Sequence, residues 1–421
     1  MAKKQAEKDL IVGIDIGTSK IVAIIGEVAE DGKVHIVGIG SHPSRGLKRG
    51  VVVNIDSTVQ SIQRAVEEAE LMAGCQIHSA YTGIAGSHIR GFNSHGIVAI
   101  RGPEVTQADV DRVIDAARAI AIPADQKILH ILPQEFLIDN QDCIREPIGM
   151  SGVRLEAKVH IATGAVSAAQ NIVKCVERCN IQVSDIILEQ LASSYAVLTE
   201  DEKDLGVCLI DIGGGTTDIA IFTEGAIRHS AVIPIAGDQV TNDLAIALRT
   251  PTQNAEKLKI NHACALIELA DSEEDIEVPS VGHRQSRTIS QKMLAEVCEP
   301  RYEELFMLVR AELRRSGFED LIASGLVITG GAAQIKGGVE LAERVFQVPV
   351  RLGMPEKISG LVDVVKNPIY ATGVGLLLYG YHQHMEESSA VKATSKKRMK
   401  SSSGDAKSIW QRMKSWFQGN F

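Results

Sequence analysis

The chain has 421 residues, a formal net charge of −9, 45% hydrophobic residues and 23% charged residues, which predicts about three domain-sized units and excludes wholesale disorder. No run approaches the roughly 18 apolar residues that a membrane-spanning helix needs, and the polar start MAKKQAEKDL does not resemble a signal peptide. Seven cysteines in a chain of this length favour a reducing compartment over a disulfide framework.

The first elements are predicted to be strands. LIVGIDIG and KIVAIIGEV are β-rich runs joined at a turn over 17–19, and VHIVGIG follows them. Residues 57–73 have helical spacing, with Ser57 as the expected N-cap and Gly74 as the stop. Strand–turn–strand units that alternate with helices predict an α/β fold.

Residues 85–163 interrupt this order. They contain a strand-like run (HIRGFNSHGIVAI), a helical pattern over 107–121 capped by Thr106, and a strand pair around ILHILPQEFLI and RLEAKVHIAT. We interpret the segment as a compact inserted α/β subdomain. Helical patterns return at 165–180 and at 190–200.

The second half begins with another strand–turn–strand unit, GVCLIDIGGGTTDIAIFTEG, followed by a third strand, AIRHSAVIPI. Residues 237–304 are predicted to be mainly helical around an acidic segment, and a long helix is expected at 290–315. LVITGGAAQIKGGVELAERVF then indicates a strand, a glycine turn and a helix. Beyond Gly380 the composition shifts to Ser, Ala, Lys and Glu, which predicts a linker.

The two hairpin turns repeat one pattern, because Asp15 to Thr18 and Asp211 to Thr216 each lie between two apolar strands. Glycine lets backbone N–H groups approach a phosphate closely, and successive N–H groups form a nest for an anion. The aspartates would hold a hydrated Mg²⁺. One such turn alone is usually a plain turn, but two copies at corresponding places predict a shared site for nucleotide phosphates.

Neither turn is a Walker A or Rossmann motif, since a strand follows each of them. The turn from Gly330 to Ala333 follows a strand and opens a helix, and its missing side chains would leave room for a base or ribose. The alternative is a tight strand-to-helix turn.

The three motifs occur in the order of the actin, sugar-kinase and heat-shock-chaperone ATPase superfamily. Residues 190–217, PQEF at 133–136 and AKVHIATG at 157–164 resemble the FtsA family of bacterial cell division proteins. The resemblance implies an α/β, two-lobed actin-like ATPase fold with an FtsA-type inserted subdomain and a C-terminal amphipathic helix. It also implies ATP and Mg²⁺ as cofactors.

The implied domains follow the chain. They are a first lobe (1A) at 10–84 and 164–200, an inserted subdomain (1C) at 85–163, a second lobe (2A) at 201–236 and 305–383, a subdomain 2B at 237–304, a linker at 384–404 and an amphipathic helix at 405–421.

Residues that bind the cofactor in the family are carried over position by position. They are Asp15, Gly17, Thr18, Ser19, Lys20, Asp211, Gly213, Gly214, Gly215, Thr216, Thr217, Glu256, Lys259, Gly330, Gly331, Ala332 and Ala333, with Asp15 and Asp211 facing Mg²⁺ through water. Glu189 or Gln190 would orient the attacking water, although a polar helix start explains both residues equally well. The protein would be at most a weak ATPase.

The C-terminal segment combines basic charge with both tryptophans. Residues 388–421 carry eight Lys and Arg and one Asp, a net charge of +7, which leaves −16 on residues 1–387. Apolar side chains form one helical stripe, outside which basic residues lie: Ile409, Trp410, Met413, Trp416 and Phe417 in the stripe, with Lys407, Arg412 and Lys414 beside it. This pattern predicts a helix lying in the surface of an anionic membrane. The alternative is a terminal helix packed on the body or on a partner.

The resemblance also implies partners. The C-terminal peptide of the tubulin-like protein FtsZ would bind at 237–304, where basic residues offer a face for an acidic peptide: Arg284, Arg287, Lys292 and Arg301. The alternative is that these residues are ordinary solvent-exposed charges on helices and bind no peptide. Copies of the chain would form a filament, and other division proteins would join them at the cytoplasmic face of the inner membrane. The acidic body does not resemble a nucleic-acid-binding protein.

The leading hypothesis is therefore an ATP-binding, polymerising adaptor that anchors the FtsZ ring to the membrane and helps to assemble the division machinery. An actin-like ATPase scaffold of other membrane machinery and a small-molecule kinase of the same superfamily remain alternatives. A kinase would need a catalytic Asp in a substrate pocket and would not explain the tail.

Overall fold

A computed structural model describes residues 10–29, 33–273, 275–280 and 285–385. Within these ranges, no helix combines the length and apolar content needed to cross a bilayer. The amphipathic segment predicted at 405–421 and most of the predicted linker lie outside the described residues.

The first elements are strands and one long helix: β1 (Leu10–Ile16), β2 (Lys20–Val28), β3 (Val34–Pro43), β4 (Leu47–Lys48), β5 (Val51–Val52), α1 (Ile55–Ala73) and β6 (Ser79–Ile84). Asn54 caps the start of helix α1, because its side chain accepts a hydrogen bond from the backbone N–H of Ser57, so the predicted cap at Ser57 is wrong. Gly74 ends the helix with a φ of 65°, as predicted.

The inserted subdomain is one sheet with one helix against it: β7 (Arg90–Ala99), α2 (Gln107–Arg118), β8 (Gln126–Ile138), β9 (Gln141–Ile144) and β10 (Arg154–Ala165). The strand order is β7-β10-β8-β9. Its core buries Val113 of the helix against Phe136, Leu155 and Ile161 of the strands. Thr106 caps α2 as predicted, and the helix ends three residues before the predicted end.

The chain then returns to the first sheet through α3 (Val166–Glu177), β11 (Gln182–Leu188), α4 (Glu189–Val197) and α5 (Glu200–Leu205). The second lobe begins with β12 (Val207–Ile212), β13 (Thr217–Thr223) and β14 (Ala226–Ile233). After these strands come α6 (Gly237–Ala247), α7 (Thr252–His262), β15 (Asp275–Val278), β16 (Arg287–Ser290) and α8 (Gln291–Ser316).

The last elements are β17 (Leu326–Thr329), α9 (Gly338–Phe346), β18 (Val350–Leu352), β19 (Ile358–Gly360) and α10 (Val362–Val365). Short 3₁₀ turns occur at Ile267–Leu269, Glu319–Leu321, Gly331–Gln334 and Pro368–Tyr370. Residues 371–378 form a further helix, α11, and residues 379–385, which belong to a separate terminal unit, are also helical.

Two larger sheets position the site. The first has six strands in the order β11-β6-β1-β2-β3-β19, and the second has five in the order β14-β13-β12-β17-β18. In each sheet an antiparallel hairpin, β1–β2 or β12–β13, has a neighbouring strand that runs parallel to its first strand. The two hairpins of the repeated sequence pattern are therefore equivalent parts of two similar sheets.

Residues 237–304 are mainly helical, as predicted, and β15 and β16 form a short hairpin within the acidic region. The expected domain boundaries at 200–201 and 304–305 lie within α5 and α8.

A buried polar network joins the inserted subdomain to the second lobe. His160 of β10 is fully buried, its Nδ1 donates to Asn93 Oδ1 at 2.8 Å, and its Nε2 accepts from Ser230 Oγ at 2.8 Å. Gln134 of β8 donates to the backbone oxygen of Ile227 at 2.9 Å. Burial lowers the pKa of His160 to about 4, which keeps the ring neutral. Ser230 and Ile227 lie on β14, so the subdomain is bonded to both lobes.

Candidate functional site

The two hairpin turns meet across a cleft. A Cβ on Gly214 would overlap Ser19 Oγ and lie 3.0 Å from Ser19 Cβ, and a Cβ on Gly215 would lie 2.6 Å from Thr18 Oγ1. Glycine is therefore required at both positions, because any side chain would push the turns apart. We call the turns over 17–19 and 213–216 the first and second phosphate turns.

A third turn closes the same region. Gly330 follows β17 with a φ of 89°, and a Cβ there would overlap the Asp211 carboxylate and lie 2.5 Å from the backbone oxygen of Ile212. Helix α6 begins beside the second phosphate turn, because the N–H of Asp238 donates to the oxygen of Gly214 at 2.8 Å. The glycines thus allow three backbone segments to converge on one space.

This space is a cavity of about 680 Å³. Predicted cofactor residues that line it are Asp15, Gly17, Thr18, Ser19, Lys20, Asp211, Gly213, Gly214, Gly215, Thr216, Glu256, Lys259, Gly330, Gly331 and Ala332, and Glu189 lines it too. Thr217, Gln190 and Ala333 are not among its lining residues. Thr217 Oγ1 instead donates to the oxygen of Ile235 at 2.8 Å, and Ala333 is packed in the core. Gln190 is fully buried, and neither polar atom of its amide has a hydrogen-bond partner among the described residues.

Two aspartates and a lysine occupy the phosphate end. Burial raises the pKa of Asp15 to about 6, against the opposing effect of Lys20, and burial also raises the pKa of Asp211. Ser193 and Thr372 donate to Asp211 Oδ2 at 2.5 and 3.2 Å. Burial lowers the pKa of Lys20 to about 8. Asp211 is held in place by these hydrogen bonds, and all three groups are poorly solvated, so a bound cation would stabilise the charged form of the two carboxyl groups.

Two further carboxyl groups face the same cavity. Burial and the neighbouring Asp211 raise the pKa of Asp218 to about 8, and Asp218 Oδ1 has no hydrogen-bond partner in the described chain. Burial and Asp15 raise the pKa of Glu189 well above its ordinary value. Sequence reasoning missed Asp218, although it directly follows the second glycine–threonine motif.

The other end of the cavity is formed by the helices of the second lobe. Lys259 pairs with Glu256 at 2.8 Å and donates to the oxygen of Gly237 at 3.0 Å. Tyr302 of α8 is buried and donates its hydroxyl to the oxygen of Ala332 at 2.8 Å. This end combines an aromatic side chain, small residues and two cations, Lys259 and Lys336.

The residues fit a nucleoside triphosphate with Mg²⁺. Glycine nests cradle phosphates, buried carboxylates with an unpartnered oxygen suit a hydrated Mg²⁺, and the volume lies in the usual range for ligand pockets. The turn at 330–332 would leave space for the adenosine.

The basic residues predicted to bind a peptide do not form one free cluster. Arg287 donates to the oxygen of Leu248, and Lys292 is exposed. Arg301 donates from Nε to Asp243 Oδ2 at 2.6 Å and pairs with Glu304, and these residues border a groove of about 360 Å³ between α6 and α8. Arg284 lies outside the described residues, as do the predicted membrane-contacting residues of the tail.

Comparison with known proteins places these features in context. The family model described as "Cell division protein FtsA" matches residues 208–375, and the model of the "SHS2 domain inserted in FTSA" matches residues 86–163. The "Cell division protein FtsA" of Pseudomonas aeruginosa is 66% identical over 422 aligned positions and covers 100% of both chains.

Two solved structures share the fold at low sequence identity. The PilM–PilN type IV pilus biogenesis complex matches with a TM-score of 0.65 and 15% identity, over 88% of this chain and 98% of that chain. MreB 5 of Spiroplasma citri bound to AMPPNP matches with a TM-score of 0.55 and 14% identity, over 90% and 98% of the two chains. The α/β architecture is therefore an actin-like ATPase fold with an inserted SHS2 domain.

Proposed function

The chain belongs to the FtsA family of cell division proteins, and from this premise we propose that it is an ATP-binding, polymerising adaptor that attaches the FtsZ ring to the cytoplasmic membrane. The observation that carries the proposal is the convergence of the two phosphate turns and the Gly330 turn on one cavity. A nucleotide in this cavity would touch both lobes, so its binding would control how the lobes sit against each other.

ATP would bind with its phosphates against the two phosphate turns and its adenosine beside Gly331, Ala332 and Tyr302. Asp15 and Asp211 would hold Mg²⁺ through water, and the ion would neutralise phosphate charge when bound. Glu189 is the residue we assign to orienting a water molecule for hydrolysis, because it lines the cavity whereas Gln190 does not. Turnover would be slow at most, since an adaptor needs nucleotide to stabilise its assembled form.

The C-terminal segment supplies the membrane attachment. Its apolar stripe with both tryptophans, and the basic residues beside the stripe, suit the surface of an anionic bilayer. One short helix binds weakly, whereas many copies joined in a filament bind with a much higher effective concentration. Polymerisation would therefore convert a weak anchor into a stable one at the division site.

Liposome co-sedimentation tests this proposal. The full chain and a chain lacking residues 405–421 are mixed with vesicles containing anionic lipid, with and without ATP. We expect the full chain to sediment with the vesicles, more so with ATP, and the shortened chain to stay in solution. Binding that survived the deletion would refute the anchor, and binding that ignored ATP would refute its coupling to assembly.

The C-terminal peptide of FtsZ would dock on the second lobe beside the groove between α6 and α8. Lys292 is exposed and would meet an acidic peptide directly, whereas Arg301 would exchange its Asp243 partner for a carboxylate of the peptide. The exposed side chain of Ile246 in the groove offers an apolar contact. Other division proteins would join the complex on surfaces that we do not assign.

Charge reversal tests the peptide site. Lys292→Glu and the double variant with Arg301→Glu should weaken binding of an FtsZ C-terminal peptide in fluorescence anisotropy. Lys292 is exposed and forms no ion pair within the described chain, so loss of an internal ion pair would not explain the effect of Lys292→Glu. Lys174→Glu on α3 is the matched control, because Lys174 is also exposed and forms no ion pair within the described chain. Unchanged affinity in the double variant would exclude this site.

A further inference from the structure

A short basic turn lies at the phosphate end of the cavity. The turn between β4 and β5, residues 48–50, contains Lys48, Arg49 and Gly50, and we call it the basic turn. Lys48 and Arg49 are exposed, and their side chains form no ion pair or hydrogen bond with any residue in the described ranges. Two cations thus stand unpaired in a chain whose net charge is −9.

The backbone of the basic turn touches both phosphate turns. The N–H of Gly50 donates to Thr18 Oγ1 at 3.0 Å, and Gly50 lines the cavity. A Cβ on Gly215 would lie only 2.9 Å from Arg49 Cα and 3.0 Å from Arg49 N. The backbone of Arg49 is therefore held against the second phosphate turn, while its exposed side chain lies outside the lining of the cavity.

The conformation of Arg49 is costly. Its φ of 51° lies in the left-handed region, which residues with a side chain rarely adopt. Glycine would avoid this cost, and the turn already has glycine at the next position, Gly50, with a φ of 74°. The arginine side chain therefore adds something that the fold of the turn does not need.

Charge explains what an arginine would add. Four carboxyl groups line the phosphate end (Asp15, Asp211, Asp218 and Glu189), and Lys20 is their close cationic neighbour. A triphosphate brings up to four more negative charges, which a single Mg²⁺ does not balance. The side chain of Arg49 starts beside the second phosphate turn, and turned toward the cavity it can offer two parallel N–H donors to one phosphate group.

We propose that Arg49 binds the terminal phosphate of ATP and thereby makes the site prefer a triphosphate over a diphosphate. The inference rests on the proposed nucleotide site. In the proposed pose the adenosine lies beside Tyr302 and Ala332, and the terminal phosphate lies against the two phosphate turns, within reach of Arg49. The contact spans the lobes, and loss of the terminal phosphate would release it.

Equilibrium binding separates the two nucleotides. The full-length chain is titrated by calorimetry with ATPγS and with ADP, each with Mg²⁺. Arg49→Ala should weaken ATPγS binding by about 10- to 100-fold, the range for a lost charge-assisted pair, and leave ADP affinity within about twofold. Arg49→Lys should lie between, because it keeps the charge without the paired donors.

Arg49→Gly is a second variant that should fold, because glycine readily adopts the positive φ at this position. It should lose ATPγS affinity and keep ADP affinity, as Arg49→Ala does. Lys48→Ala is the matched control, because Lys48 is the adjacent exposed and unpaired cation. The inference is overturned if the Arg49 variants keep the wild-type ratio of ATPγS to ADP affinity, or if Lys48→Ala lowers that ratio equally. A wild-type chain that bound neither nucleotide would instead refute the nucleotide site itself.

Discussion

The close approach of the two phosphate turns makes Gly214→Ala a strong test of the site. The new Cβ would overlap Ser19 Oγ and would lie 3.0 Å from Ser19 Cβ, whereas ordinary contact begins at about 3.4 Å. Overpacking of this kind costs about 1–3 kcal/mol, so we expect ATP affinity to fall roughly 5- to 150-fold. The fall arises because the turns must separate by some tenths of an ångström or more before both can hold one phosphate chain.

The second half of this test is a double-mutant cycle measured by calorimetry. Ser19→Ala removes the hydroxyl that overlaps, so Gly214→Ala should cost at least about 1 kcal/mol less in that background. Gly213→Ala is the control for this coupling: its Cβ would meet only the backbone oxygen of Thr216, at 3.2 Å, so its effect on ATP affinity should be the same with and without Ser19→Ala. If the effects of Gly214→Ala and Ser19→Ala simply add, the turns do not meet as described.

Three further perturbations test other parts of the molecule. Gly330→Ala should lower the free energy of unfolding by about 3 kcal/mol or more in urea denaturation, because the φ of 89° suits only glycine and the methyl would overlap Asp211; a loss below about 1 kcal/mol would contradict this geometry. Tyr302→Phe removes the hydroxyl bond to Ala332, so ATP and ADP affinities should fall alike by about 1 kcal/mol, and a loss confined to ATP would contradict the assignment of this end to adenosine. His160 has a pKa of about 4 in the folded chain, below its ordinary value of 6.5. The unfolded chain therefore binds a proton at a higher pH than the folded chain does. The free energy of unfolding should fall as the pH drops from about 6.5 to 4. In urea titrations across this range, His160→Gln should reduce the slope, and an unchanged slope would exclude His160 as a contributor.

The fold could be predicted where its causes are local in the sequence. The two phosphate turns follow apolar strands of ordinary length and carry the same residue types, so a single chain reveals both of them. The start of α2 was equally predictable, because a capping box at Thr106 and Asp109 is a local signal. The first cap of α1 was missed because both Asn54 and Ser57 are good caps, and only the backbone geometry distinguishes them.

Other features depend on contacts between distant segments. Tyr302 reaches the cavity from the middle of α8, and its hydroxyl finds Ala332 30 residues later, so no spacing rule connects them. The strands β15 and β16 have four residues each, too few for a clear alternating pattern. The proximity of Arg49 to Gly215 likewise depends on tertiary structure, because the two segments meet only when the two sheets lie on either side of the cleft.

The hydrogen bonds from the inserted subdomain to β14 have a mechanical consequence. The subdomain continues covalently into the first sheet, while His160 and Asn93 bond Ser230 and the backbone oxygen of Arg228 on the second. A rotation that separates the two sheets must either break these hydrogen bonds or move the inserted subdomain with it. Breaking them is unfavourable, because each buried polar group left without a partner costs about 1–3 kcal/mol. The inserted subdomain therefore links the two sheets, and its orientation relative to each sheet should change as the cleft opens.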